Sequence, residues 1–149
     1  MRNVRDILRD KGTAVYSISP DASVYDALRL MAEKNVGSLL VLEGDRMAGM
    51  ISERDYARKI VLMDKLSRET KVKEIMTTEV LTVTPDTDLD DCMELITDKR
   101  VRHLPVVEND RVLGIVSIGD IVKGIIDHKE SVIEQLESYI KGHPVKHIT

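Results

Sequence analysis

Two short phrases in the chain carry residues able to do chemistry: Ser52-Glu53-Arg54-Asp55 and Ser117-Ile118-Gly119-Asp120. Each follows an apolar stretch of strand length and opens a helical pattern, so each serine stands where a strand hands over to a helix. A helix start leaves backbone N–H groups unpaired and carries a partial positive charge, which suits a phosphate or a sugar hydroxyl. The carboxylate one turn in, Asp55 or Asp120, can accept two hydrogen bonds from a ribose diol, as acidic residues do in dinucleotide folds. Arg54 and Arg58 are four residues apart on one helical face, and their forked donors fit a phosphate. The same Ser-x-x-Asp spacing is also a capping box, which stabilises a helix by about 0.5–2 kcal/mol with no ligand. One serine can do both.

The two phrases recur because the chain is one unit written twice, at an offset of 65 residues. Val15 to Asp21 aligns with Val80 to Asp86, Asp26 with Asp91, Val36 with Val101 and Leu39 with Leu104. Gly49, Ser52 and Asp55 fall on Gly114, Ser117 and Asp120, with no gap from Val15 to Ile60. A shorter echo precedes this, Val4 to Leu8 against Val72 to Met76, with the first copy three residues longer afterwards. Within each copy an extended segment ends in a Pro-Asp turn, and an amphipathic helix follows (Val24, Ala27, Leu28, Met31; Leu89, Cys92, Met93, Ile96). Two apolar runs joined by Glu43-Gly44-Asp45 or Glu108-Asn109-Asp110 make a hairpin, and a helix starts at Ser52 or Ser117. The order is β-α-β-β-α in each copy.

Residues 1–63 and 72–128 are thus the two repeats, 64–71 a charge-rich solvated linker, and 129–149 a carboxy-terminal helix and tail. That last helix is expected to begin at its own capping box, Ser131 and Glu134, and to stop at Gly142. Its stripe of Val132, Ile133, Leu136, Tyr139 and Ile140 either closes the core or packs on another subunit, core closure being the commoner role.

The doubled set, above all Gly49-Met50-Ile51-Ser52-Glu53-Arg54-Asp55 and Gly114-Ile115-Val116-Ser117-Ile118-Gly119-Asp120, resembles the tandem cystathionine-β-synthase (CBS) domain. Arg102-His103-Leu104-Pro105-Val106-Val107 is similar to the same part of a second CBS repeat, and the likeness covers about residues 4–127. It implies an α/β (α+β) fold, with two repeats about a pseudo-two-fold axis and a carboxy-terminal helix. By resemblance the chain is a stand-alone, bacterial-type regulatory module and not an enzyme. It would bind AMP, ATP, NAD(H) or S-adenosylmethionine in clefts between the repeats, form a homodimer, and act on a regulated protein that the sequence does not identify. Val15, Val80, Leu39 and Leu104 become adenine walls, with Pro105 beside them. Tyr16 either stacks an adenine or is a plain half-buried strand residue. Arg102 and His103 become phosphate neighbours by the same resemblance, the other role open to His103 being a hydrogen bond to the edge of a strand.

The two sites are not expected to be equal. Arg54 has Gly119 as its counterpart, Arg58 has Lys123, and Gly37-Ser38 becomes Arg102-His103. The Arg54/Arg58 end is expected to take the phosphate-bearing ligand, the second site binding more weakly or differently. Other chemistry is thinly represented. No nucleophile elbow, glycine-rich phosphate loop or His-Glu-x-x-His occurs, and Cys92 reads as a small buried thiol. His128, His143 and His147 lack metal-ligand spacing, so no metal is expected. A net charge of −4 offers no bulk attraction for nucleic acid. The charged amino terminus and the lack of a long apolar run point to a soluble cytoplasmic protein. The core must be built without Phe or Trp, from Val, Ile, Leu, Met and Ala.

Overall fold

A computed structural model describes residues 2–140, with only the backbone of Tyr139; Gly142, His143 and His147 lie outside the described residues. In chain order the first elements are α1 (Val4–Lys11), β1 (Ser17–Ile18), α2 (Val24–Lys34), β2 (Ser38–Glu43), β3 (Arg46–Ser52) and α3 (Glu53–Tyr56). A π-helical segment, Ala57–Val61, extends α3, and α4 (Val72–Ile75) follows. The rest are α5 (Leu89–Lys99), β4 (His103–Glu108), β5 (Arg111–Ser117) and α6 (Ile118–Ile140). Among the described residues no helix is long and apolar enough to cross a membrane.

The chain gathers into two compact units that do not coincide with the sequence repeats. One unit holds Ala14–Leu81 with Glu108–Val112; the other holds the described residues up to Thr13, Thr82–Val107 and those from Leu113 to Ile140. The leading helix α1 therefore belongs with the body of the second repeat, and α4, which leads the second repeat, belongs with the body of the first. In the Ala14–Leu81 unit β1 pairs parallel with β2, and β2 antiparallel with β3. Leu39, Val41 and Ile51 from the sheet join Val24, Ala27 and Met31 of α2 and Val72 and Ile75 of α4 in one core. In the other unit Val4, Ile7 and Leu8 of α1 are buried, as are Leu89, Cys92 and Ile96 of α5 and Val116 and Ile121. Each buried Val, Leu, Ile or Met among them contributes about 1.5–3 kcal/mol.

Both leading helices are tied in the same way. Val72 N–H donates to Ala22 O and Val24 N–H to Thr70 O, both at 2.8 Å; Val4 N–H donates to Thr87 O at 3.0 Å and Leu89 N–H to Arg2 O at 3.3 Å. The 64–71 segment is thus more than a solvated linker. Thr70 is buried, its hydroxyl donates to Leu66 O at 2.8 Å, and Tyr25 N–H donates to Ser67 O at 3.0 Å, so the segment satisfies the first turn of α2.

Two further differences from expectation have plain causes. The extended segment of the second repeat shrinks to one parallel bridge, Val83 with Val106. In the first repeat Leu40 N–H donates to Tyr16 O at 3.2 Å; the counterpart of Leu40 is Pro105, which has no N–H to give. The separate carboxy-terminal helix is absent as well, since α6 runs unbroken from Ile118 to Ile140. Nothing between Asp127 and Ser131 is Gly or Pro, so no residue ends the helix there. The stripe expected to close the core does not, with Ile133 and Leu136 54% and 57% exposed.

The glycine that opens each Gly-x-x-Ser-x-x-Asp phrase is set by the leading helix. A Cβ on Gly49 would lie 2.5 Å from Thr77 O, and one on Gly114 would lie 2.8 Å from Leu8 Cδ2. The first obstacle is backbone and the second a side chain able to rotate. Gly49→Ala is therefore expected to destabilise by about 1–3 kcal/mol and Gly114→Ala by less, measured by urea unfolding of both variants.

Candidate functional site

At the end of β3, Ser52 takes an extended backbone conformation and caps α3. Its hydroxyl accepts from Asp55 N–H at 3.1 Å, and Asp55 Oδ2 accepts from Ser52 N–H at 3.0 Å and from the Ser52 hydroxyl at 3.1 Å. Asp55 Oδ1 accepts from the Thr77 hydroxyl and pairs with Lys59 Nζ, each at 3.2 Å. Lys59 also donates to Ile75 O, the last carbonyl of α4, at 2.8 Å. Asp55 is 9% exposed, and both of its oxygens are engaged inside the unit.

Ser117 and Asp120 repeat the box at the start of α6, with Asp120 N–H to Ser117 Oγ at 3.1 Å and Ser117 N–H to Asp120 Oδ2 at 2.9 Å. The lysine differs. Lys59 has Gly124 as its counterpart, where a Cβ would meet Leu89 Cδ1 at 2.8 Å and Ile7 close behind. Lys11, at the end of α1, fills the role instead, reaching Asp120 Oδ2 at 2.7 Å and Ile115 O at 3.0 Å. Asp120 Oδ1 has no partner among the described residues, and the carboxylate borders a cavity of about 150 Å3 whose lining includes Lys11, Lys123, Arg2 and Asp127. Burial pushes the Asp120 carboxyl up, but the Lys11 hydrogen bond and charge and the Ser117 donors outweigh it and hold it below its ordinary value.

In both boxes the first helical N–H is already used, Glu53 N–H by Gly37 O at 3.0 Å and Ile118 N–H by Arg102 O at 2.9 Å. The second, on Arg54 and on Gly119, has no partner among the described residues and is the donor left for a ligand. Arg54 and Arg58 are exposed and make no ion pair among the described residues. Their helix widens into the π segment, where Leu62 N–H donates five residues back to Ala57 O at 3.2 Å.

The remaining expected residues are scattered. Leu39, Leu104 and Pro105 are buried, the two leucines within the core, while Val15 and Val80 are half-buried. Tyr16 is 47% exposed, with Lys34 Nζ over one face of its ring at 5.5 Å from the centroid. Arg102 is exposed. His103 is exposed too, yet enough protein surrounds its ring that burial, then the charge of Lys11, lowers its pKa, with Asp120 opposing and Arg102 adding to the fall. Cys92 is buried, and burial with Asp91 and Asp88 pushes its thiol to about 11, an inert state. A second cavity of about 470 Å3, lined by Pro20, Asp21, Glu43, Gly44 and Lys73 among others, contains none of the expected residues. The lysines Lys11 and Lys59 are the site residues that the spacing of the motif did not single out.

Two units of one design, each closing a hairpin with a capped helix start, define a paired-repeat module. The chain belongs to the CBS domain family, whose model matches residues 4–62 and 72–127. It is 39% identical over 148 residues to the mitochondrial CBS domain-containing protein CBSX3 of Arabidopsis thaliana, covering 93% of this chain and 72% of that protein. A solved structure of a putative signal-transduction protein with CBS domains from Burkholderia ambifaria is 47% identical and covers 85% of this chain and 95% of its own, with a TM-score of 0.78. The crystal structure of CBSX2 in complex with AMP is 27% identical at a TM-score of 0.71, covering 87% of this chain and 99% of its own.

The pairing of Lys11 with Asp120 yields two expectations. In an NMR titration, Lys11→Met should raise the His103 pKa and Asp120→Asn should lower it further, because the lysine opposes the imidazolium and the aspartate favours it. The depressed Asp120 carboxyl stabilises the fold above the ordinary carboxylate range, and that contribution is lost as pH falls through the depressed value. Melting temperatures of Lys11→Met followed down to about pH 2.5 should therefore fall less steeply than those of wild type.

Proposed function

We propose that the chain is a regulatory module that binds an adenine nucleotide, AMP being the first choice and ATP, NAD(H) and S-adenosylmethionine the alternatives, and signals by a change of conformation. The observation that carries this reading is the pair of Ser-x-x-Asp helix starts, each with a second N–H that has no partner among the described residues, in a family member whose relative CBSX2 has been crystallised with AMP. At the second motif the open Asp120 Oδ1 accepts a ribose hydroxyl without disturbing the capping box. At the first motif Asp55 has no free oxygen, and the free charge lies on Arg54 and Arg58, suited to a phosphate. The sites are accordingly unlike. A ligand acts here only through its different affinity for two states of the module, which a regulated protein then reads in a homodimeric cytoplasmic assembly.

A second reading, a constitutive interaction module without ligand, draws on one fact: both aspartates are already engaged as caps and lysine partners. Calorimetry and thermal unfolding with each nucleotide separate the two. A binder at 100 times its dissociation constant stabilises by about 2.7 kcal/mol. Asp120→Ala should remove more nucleotide affinity than Asp55→Ala, once each variant's own stability is subtracted. Equal losses would end the asymmetry, and no response to any of the four ligands would leave the interaction module as the function.

A further inference from the structure

The carboxy-terminal half of α6 turns its apolar residues away from its own unit. Earlier in the helix Ile121 and Gly124 are buried against that unit. Beyond them the partly covered positions are His128, Ser131, Gln135 and Ser138, a polar stripe. Ile133, Leu136 and Ile140 meanwhile are 54%, 57% and 81% exposed. A helix serving only its own core would have the two stripes the other way round. Val122, Ile126, Lys129, Ile133, Leu136 and Ile140 also alternate in steps of four and three residues, the spacing of a coiled-coil seam with one lysine in it.

The charges beside that seam choose the occupant. Lys123, Glu130 and Glu137 stand seven residues apart along one flank, and Ile125 and Val132 along the other. In an antiparallel pair like flanks meet, so Lys123 faces Glu137 of the second copy at both ends, and Lys129 neutralises Glu130 at the centre. A parallel pair would set Glu130 and Glu137 against Ile125 and Val132. The order of charge is self-complementary in one direction only.

We infer that α6 pairs antiparallel with α6 of a second copy of this chain along the 122–140 seam. This rests on the homodimer in the reading above and says where that dimer forms.

Sedimentation equilibrium of the full chain should give twice the monomer mass. Ile133→Glu and Leu136→Glu, both at exposed positions, should give folded monomers. Glu137→Lys should weaken the dimer, and adding Lys123→Glu to it should restore it. Glu130→Cys, near the two-fold centre, should cross-link under mild oxidation while Asp127→Cys should not, and buried Cys92 leaves the readout clean. A dimer that survives Ile133→Glu, with Glu130→Cys failing to cross-link, overturns the seam and leaves the homodimer standing. A wild-type monomer overturns both, including the case in which truncation after Ile140 induces association because residues 141–149 had covered the stripe.

Discussion

At Gly49 the carbonyl of Thr77 lies 2.5 Å from where a Cβ would be, and at Gly114 the methyl of Leu8 lies 2.8 Å away. That close approach of a leading segment to the last hairpin strand is the constraint on which the rest of each unit depends. It buries Val72 and Ile75 in one unit and Val4 and Ile7 in the other. It also brings the end of the leading helix within reach of the Ser-x-x-Asp phrase three residues further on. In one unit the helix offers the Ile75 carbonyl to Lys59, and in the other it offers Lys11 itself. The motif carboxylate, its lysine and the leading helix therefore form one connected polar group in each half, assembled from different parts of the chain.

That arrangement explains why the candidate sites diverged. Where the leading helix is short, as in α4, a lysine on the following helix can cross to it and fill the aspartate. Where it is a full eight residues, as in α1, a Cβ at position 124 would press on the Leu89 methyl, the position is glycine, and the lysine comes from α1 instead. Asp120 then keeps one oxygen open that Asp55 does not. The difference between Lys59 and Gly124 follows from packing first and has consequences for binding second.

Much of this was legible in the sequence, and the part that was not has a physical reason. The hairpins, their turns at Gly44 and Asn109, and the serine caps rest on interactions between near neighbours, which spacing reveals. The shrunken strand of the second repeat was readable in principle, because Pro105 stands where Leu40 donates. The exchange of leading helices was not. The echo of Val4 to Leu8 in Val72 to Met76 says that two equivalent segments exist, but nothing in either says which body it packs on. Lys11 meets Asp120 across 109 residues of chain, a separation at which no pattern of residue types marks a pair. In α6 the spacing of the apolar residues was plain while their partner was not, since periodicity gives a face without saying what lies against it.

The crossed placement of the leading helices also orders events during synthesis. The body of the first repeat cannot be completed until α4 has emerged, some twenty residues after its own last strand, whereas α1 is made first and waits for almost the whole chain. Until then Val4, Ile7 and Leu8 have no core to enter. One unit thus closes mainly through contacts within Ala14–Leu81, while the other must bring α1 to segments from Thr82 onward, the kind of closure that slows folding. The unit that bears this longer closure is the one containing α1, which also holds the more open aspartate.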